Sequence, residues 1–195
     1  ISTVTGGRAK TSNYSLSNSS AKFKIDKTSS TNPTLTAYSG TYDGKPHSIG
    51  VSGGSGGTIK YSTDRSTWST ENPTVTDATN SGAVTVYVKV FGDSNHNDSS
   101  IISSTITIYR TSSSISFTSR GGTYSGSAIG ATASGLGSIT YTYYSDSSCR
   151  TAISTPIDAG TYYVIAKSAG DKNHNGANTA CSSHVISQQQ LTVSW

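Results

Sequence analysis

The chain has 195 residues, of which 12% are charged and 32% hydrophobic, with a net charge of +4. Leu, Ile, Val and Phe number 32, below the usual globular share, but 12 Tyr and a low net charge exclude a disordered polyelectrolyte. Basic residues are scattered, which excludes a nucleic-acid footprint, and no apolar run approaches the ~20 residues of a membrane span. Ser and Thr make up about a third of the chain, a composition that suits short strands joined by polar turns. Two Cys, no Met and abundant Ser and Thr suit an exported bacterial protein. With no initiator Met and no signal peptide, the sequence reads as a mature chain or part of a longer one.

In chain order, the opening Gly6-Gly7, Ser12-Asn13-Tyr14 and Ala21-Lys22-Phe23-Lys24-Ile25 resemble the stretch from Gly92 to Ile108. This predicts the end of a repeat, with a strand over Ala21–Lys27. Further strands are predicted at His47–Ser52, Thr58–Thr63 and Thr74–Asp77. Val84, Val86, Val88 and Val90 alternate with Ala83, Thr85, Tyr87 and Lys89, the period-two pattern of a half-buried strand. Ser103–Tyr109 follows, then Ser114–Ser119, Ala128–Ser134, Ser138–Ser145, Tyr162–Ser168 and Cys181–Ser187. The second core is expected to lean on Ile139, Tyr141 and Tyr143. Turns are predicted at Asp43-Gly44, Gly53–Gly57, Asn72-Pro73, Gly121-Gly122 and Asp158-Ala159-Gly160. Leu191-Thr192-Val193-Ser194-Trp195 reads as one more first strand.

The elements repeat. Gly92-Asp93 and Asn95-His96-Asn97 return as Gly170-Asp171 and Asn173-His174-Asn175, at a shift of 78 residues. Tyr42-Asp43-Gly44 returns as Tyr124-Ser125-Gly126, at a shift of 82. A unit of about 80 residues with six or seven short strands predicts an all-β fold of tandem immunoglobulin-like β-sandwich domains, strung like beads. The expected boundaries are 1–27 (end of a preceding repeat), 28–110, 111–188, and 189–195 (start of a following repeat). Linkers are expected at Thr28–Thr31 and Tyr109–Ser112.

Tyr42-Asp43-Gly44-Lys45-Pro46-His47, Tyr61-Ser62-Thr63-Asp64, Thr67-Trp68-Ser69 and Asn72-Pro73 are similar to the "YDG" type of bacterial surface repeat. Tyr124-Ser125-Gly126, Tyr141–Asp146 and Asp158-Ala159-Gly160-Thr161-Tyr162-Tyr163 are similar to its MBG-like sister type. Nearly the whole chain thus resembles the YDG/MBG immunoglobulin-like repeats of large secreted or wall-anchored bacterial proteins. The resemblance implies an extracellular stalk or adhesin module, with neighbouring repeats as partners and no catalytic residues or cofactor. It names no ligand, because fold does not imply function.

The candidate sites each have a plain structural reading. Asp171-Lys172-Asn173-His174-Asn175-Gly176 fits the first half of a calcium loop, but position twelve is Ser182 rather than Glu, and the sibling Asp93–Asp98 has Ser104 there. These residues also favour turns, and the turn is the expected reading. His47, His96, His174 and His184 are expected as satisfied or solvated rather than metal-bound. Ser is abundant, yet no G-x-S-x-G elbow on a strand-to-helix turn exists, so no enzyme is expected. Cys149 and Cys181 are expected at opposite ends of their sandwich, which favours free thiols. An oxidising compartment favours a bond, and the pairing stays open. Trp68 and the Tyr of 141–144 and 162–163 allow a carbohydrate-binding alternative. Lys89 and Lys167 should point outward, which disfavours a Lys–Asn isopeptide cross-link. Sequons lie at Asn13, Asn18 and Asn97. The leading expectation is a module that spaces and displays a binding head toward a host glycan or protein receptor. The runner-up is a filament or virion subunit, copies of which assemble by strand addition.

Overall fold

A computed structural model describes residues 24–79 and 82–193, and every regular element among them is a β-strand. The first half holds β1 (Thr28–Ser29), β2 (Thr34–Thr36), β3 (Tyr38–Thr41), β4 (Gly50–Ser52), β5 (Gly57–Ser62), β6 (Val84–Gly92), β7 (His96–Asn97) and β8 (Ile102–Tyr109). The second holds β9 (Ile115–Ser119), β10 (Gly121–Thr123), β11 (Thr132–Gly135), β12 (Ile139–Tyr144), β13 (Ala152–Ile153), β14 (Gly160–Ser168), β15 (Ala177–Asn178) and β16 (Ser182–Ser187). No sheet draws strands from both halves.

β6 organises the first half. Its β-branched side chains fit a pleated surface, and alternation sends Val86, Val88 and Val90 fully out of water. Val84, at the strand's start, is half-buried. β6 pairs antiparallel with β5 and β8, and β8 contributes the buried Ile106 and Ile108. Leu35 of β2, Val51 of β4 and Ile49 just before β4 pack on this surface from the separate β2–β4 pair, making two layers. Each fully buried Val or Ile contributes roughly 1.5–3 kcal/mol, so these residues dominate the stability of the half.

The second half repeats the plan with fewer aliphatics. The sheet order is β10-β16-β14-β12-β13, and β9–β11 forms the facing pair. Val164, Ala166 and Ser168 of β14 are fully buried, as their alternation predicts. Of the residues expected to carry this core, Tyr143 is buried and the half-buried Tyr141 packs against its cluster, whereas Ile139 is half-buried outside it and Val164, Ala166 and Ile186 are buried. Tyrosine bridges the layers instead, because the Tyr143 hydroxyl accepts from Ala131 N at 2.7 Å and the Tyr141 hydroxyl from Ala133 N at 2.8 Å. The two buried clusters share no residue.

Several boundaries differ from expectation. Gly121-Gly122 is not a turn but part of β10, which runs parallel to β16 as β3 runs parallel to β8. Gly121 has φ +120°, and a Cβ there would meet Val185 O at 1.9 Å, so glycine serves a close backbone approach. Thr74–Asp77 is reduced to a single bridge between Val75 and His47. The strand expected over Ala21–Lys27 lies partly outside the described residues, and 24–27 are exposed and carry no strand. Residues 189–193 likewise carry no strand, with Leu191 92% exposed, and 194–195 lie outside the described residues.

Candidate functional site

The Asp-x-Asn-His-Asn segments form turns built around their own aspartate. Asp171 Oδ1 accepts from Asn173 N at 2.8 Å, His174 N at 2.8 Å and His174 Nδ1 at 2.7 Å. Asp93 Oδ1 accepts from Asn95 N at 2.8 Å and His96 Nδ1 at 2.7 Å. In each turn the histidine hydrogen bond, followed by backbone amides, holds the aspartate below the usual carboxylate range. One carboxylate oxygen of each aspartate is thus engaged within its own turn.

Each turn grips the stretch of chain that leads into its own half. Thr28 N donates to Asn95 O at 3.0 Å, Ser30 Oγ to Asn97 O at 2.6 Å, and Asn97 Nδ2 to Lys27 O at 3.2 Å. The second turn repeats these bonds. Thr111 N donates to Asn173 O at 3.0 Å, Ser113 Oγ to Asn175 O at 2.6 Å, and Asn175 Nδ2 to Arg110 O at 3.4 Å. The segments expected as short linkers are held by backbone and side-chain bonds.

The second turn also reaches the first half. Asn173 Oδ1 accepts from Ala78 N at 2.8 Å, and its Nδ2 donates to Asp77 Oδ1 at 3.0 Å. Lys172 Nζ contacts Asp77 Oδ2 at 2.5 Å, and the His174 ring meets Tyr42 edge-on with centroids 5.5 Å apart. Lys172, then Asn173, lowers the Asp77 pKa. Ala78 is only 6% exposed. One turn thus ties together linker, second half and first half.

The remaining candidates are placed as follows. Cys149 and Cys181 form a disulfide with Cα atoms 6.0 Å apart, which corrects the expectation of opposite ends. The reason is stagger: Val164 pairs with Tyr143 on one side and with Ser182 on the other, so β16 begins level with the end of β12. Trp68 packs edge-on against Phe91, and Lys60 and Lys89 lie over the Phe91 ring. Lys89 also pairs with Asp98 at 2.7 Å, while Lys167 is exposed on the outer face of β14. His47 stacks on Tyr38 and meets Asp43 at 2.9 Å. His184 is fully buried, where Nε2 donates to Ile129 O at 2.8 Å and Nδ1 has no partner, so it is not the fully satisfied histidine that was expected. Burial lowers its pKa, keeping the ring neutral and its bare nitrogen an acceptor. Asp64 accepts the Thr67 and Ser66 amides, and Asp146 accepts the Ser148 hydroxyl and then the Thr151 amide, which lowers both well below the usual range.

Among the described residues, no three metal-ligating side chains converge, and no helix is long and apolar enough to cross a membrane. The sequons Asn13 and Asn18 lie outside the described residues, and the Asn97 side chain holds Lys27 O. The junction went unread because its partners are 95 residues apart. One available clue was the Asp-Ala pair at 77–78, which recurs at 158–159. No family model matches the chain, and no curated protein sequence matches it.

Proposed function

We propose that the chain is a pair of immunoglobulin-like modules from an extracellular bacterial surface protein, where it spaces and stiffens a stalk that displays a binding head. The observation that carries this reading is the Asp171–Asn175 turn, whose residues hold the linker and Asp77-Ala78 together. A flexible tether would leave Arg110–Ser113 unbonded, whereas here both ends of that segment bond to the turn. The Cys149–Cys181 bond is compatible with an oxidising location. The polar side chains that converge at the junction hydrogen-bond to each other and to backbone, which suits a mechanical joint.

The reading is tested on the source cells with antibodies raised against the folded chain. Staining of intact, unpermeabilised cells and a reactive polypeptide far larger than 20.2 kDa are expected. A reactive species of 20.2 kDa found in extracellular filaments would replace the stalk with a self-assembling subunit.

A further inference from the structure

The second half carries its own copy of the surface on which Asn173 docks, and there it is uncovered. Asp77-Ala78 corresponds to Asp158-Ala159, and Tyr42 to Tyr124. The correspondence is structural as well as sequential. Tyr42 N donates to Tyr109 O at 2.8 Å, and Tyr124 N donates to Ser187 O at 2.8 Å. Thr79, after Ala78, bonds to Ile108 O, and Gly160, after Ala159, lies opposite Ile186. The exposures differ. Ala78 is 6% exposed beneath Asn173, whereas Asp158 and Ala159 are exposed and Tyr124 is 38% exposed. Tyr124, Ala159, Gln188 and Gln189 line a shallow cleft, and Gln188-Gln189 occupy the chain position of Arg110-Thr111.

We propose that Tyr124, Asp158 and Ala159 form the acceptor face of a second junction, occupied by a further module that presents an Asp-Lys-Asn-His-Asn turn on the chain running out from Gln188. The inference rests on the stalk reading and names the partner that reading requires. The occupant's asparagine bonds the Ala159 amide and the Asp158 carboxylate, its lysine pairs with Asp158, and its histidine edges onto Tyr124. These are the contacts Asn173, Lys172 and His174 make with the first half. Charge selects the occupant. The first-half turn has Ser94 where the second has Lys172, so a module of the second type complements Asp158 better. Covalent continuity raises the local concentration of such a turn to about the millimolar range, so a few hydrogen bonds suffice to hold it.

The test uses the full chain with residues 111–195 repeated directly behind Gln188, compared with the parent by amide hydrogen exchange. The Ala159 amide is expected to slow by about tenfold or more, approaching the behaviour of Ala78. Asn173→Ala in the appended copy alone, or Asp158→Ala in the original, should restore the parent rate while core amides of the appended copy stay protected. Ala159 exchanging as fast in the extended chain as in the parent, with Ala78 still protected, overturns the second junction alone. An Ala78 amide that exchanges freely in the parent overturns the stalk reading and this inference together.

Discussion

Asn173 and Ala78 are 95 residues apart, yet the Asn173 side-chain carbonyl accepts the Ala78 amide at 2.8 Å while the same side chain donates to Asp77. Asn173→Ala removes both bonds and leaves the Asp171 scaffold of the turn intact. At about 1 kcal/mol per bond, the substitution is expected to loosen the junction without unfolding either half. Faster exchange at the Ala78 amide with unchanged core protection would bear this out; unchanged exchange at Ala78 would contradict it.

How much of this was legible follows from the range of each interaction. The Val84–Val90 alternation is local and predicted β6 and its buried face directly. β10 was hidden because Gly121-Gly122 carries no alternation, and its parallel pairing with β16 is specified from more than 60 residues away. The Cys149–Cys181 bond depends on a stagger between β12 and β16 that only three-dimensional register reveals. The Asn-His-Asn repeat was plain in the sequence, but its role as a clasp depends on two partners, Asp77 and Arg110, that precede it by more than 60 residues.

Val86→Asp places a carboxylate where the native side chain has no exposure and belongs to the apolar cluster of the first half. An unpaired buried charge costs several kcal/mol, comparable to the stability of a small domain. The first half should unfold while the resonances of Val164 and Ala166 remain native, because the two buried clusters share no residue. Unchanged thermal melting would count against the assigned core, and loss of both halves together would count against their independence.

The disulfide closes a separation of 32 residues within the second half. By chain-entropy reasoning, replacing both cysteines with serine costs about 3–4 kcal/mol. Denaturant melts followed at each half should show the loss confined to residues 115–187. An equal shift at the first half would contradict that placement.

His184 sets a pH dependence. Burial lowers its folded pKa below the ordinary 6.5, so the unfolded state binds the proton more readily. Its contribution to stability is complete above pH 6.5 and falls as pH drops toward the lowered value, by at most about 1.4 kcal/mol per pH unit. His184→Gln keeps a donor for Ile129 O and cannot titrate in this range. Denaturant titrations between pH 7.5 and 5.5 should show a weaker slope in the variant; identical slopes would contradict the assignment.

A stiff stalk requires the Asp171–Asn175 turn to hold the two halves in fixed orientation. Residual dipolar couplings measured separately for residues 28–109 and 115–187 test it most directly. A single alignment tensor is expected for the parent chain, splitting into two in Asn173→Ala. Two unrelated tensors in the parent would show freely jointed beads and contradict the account.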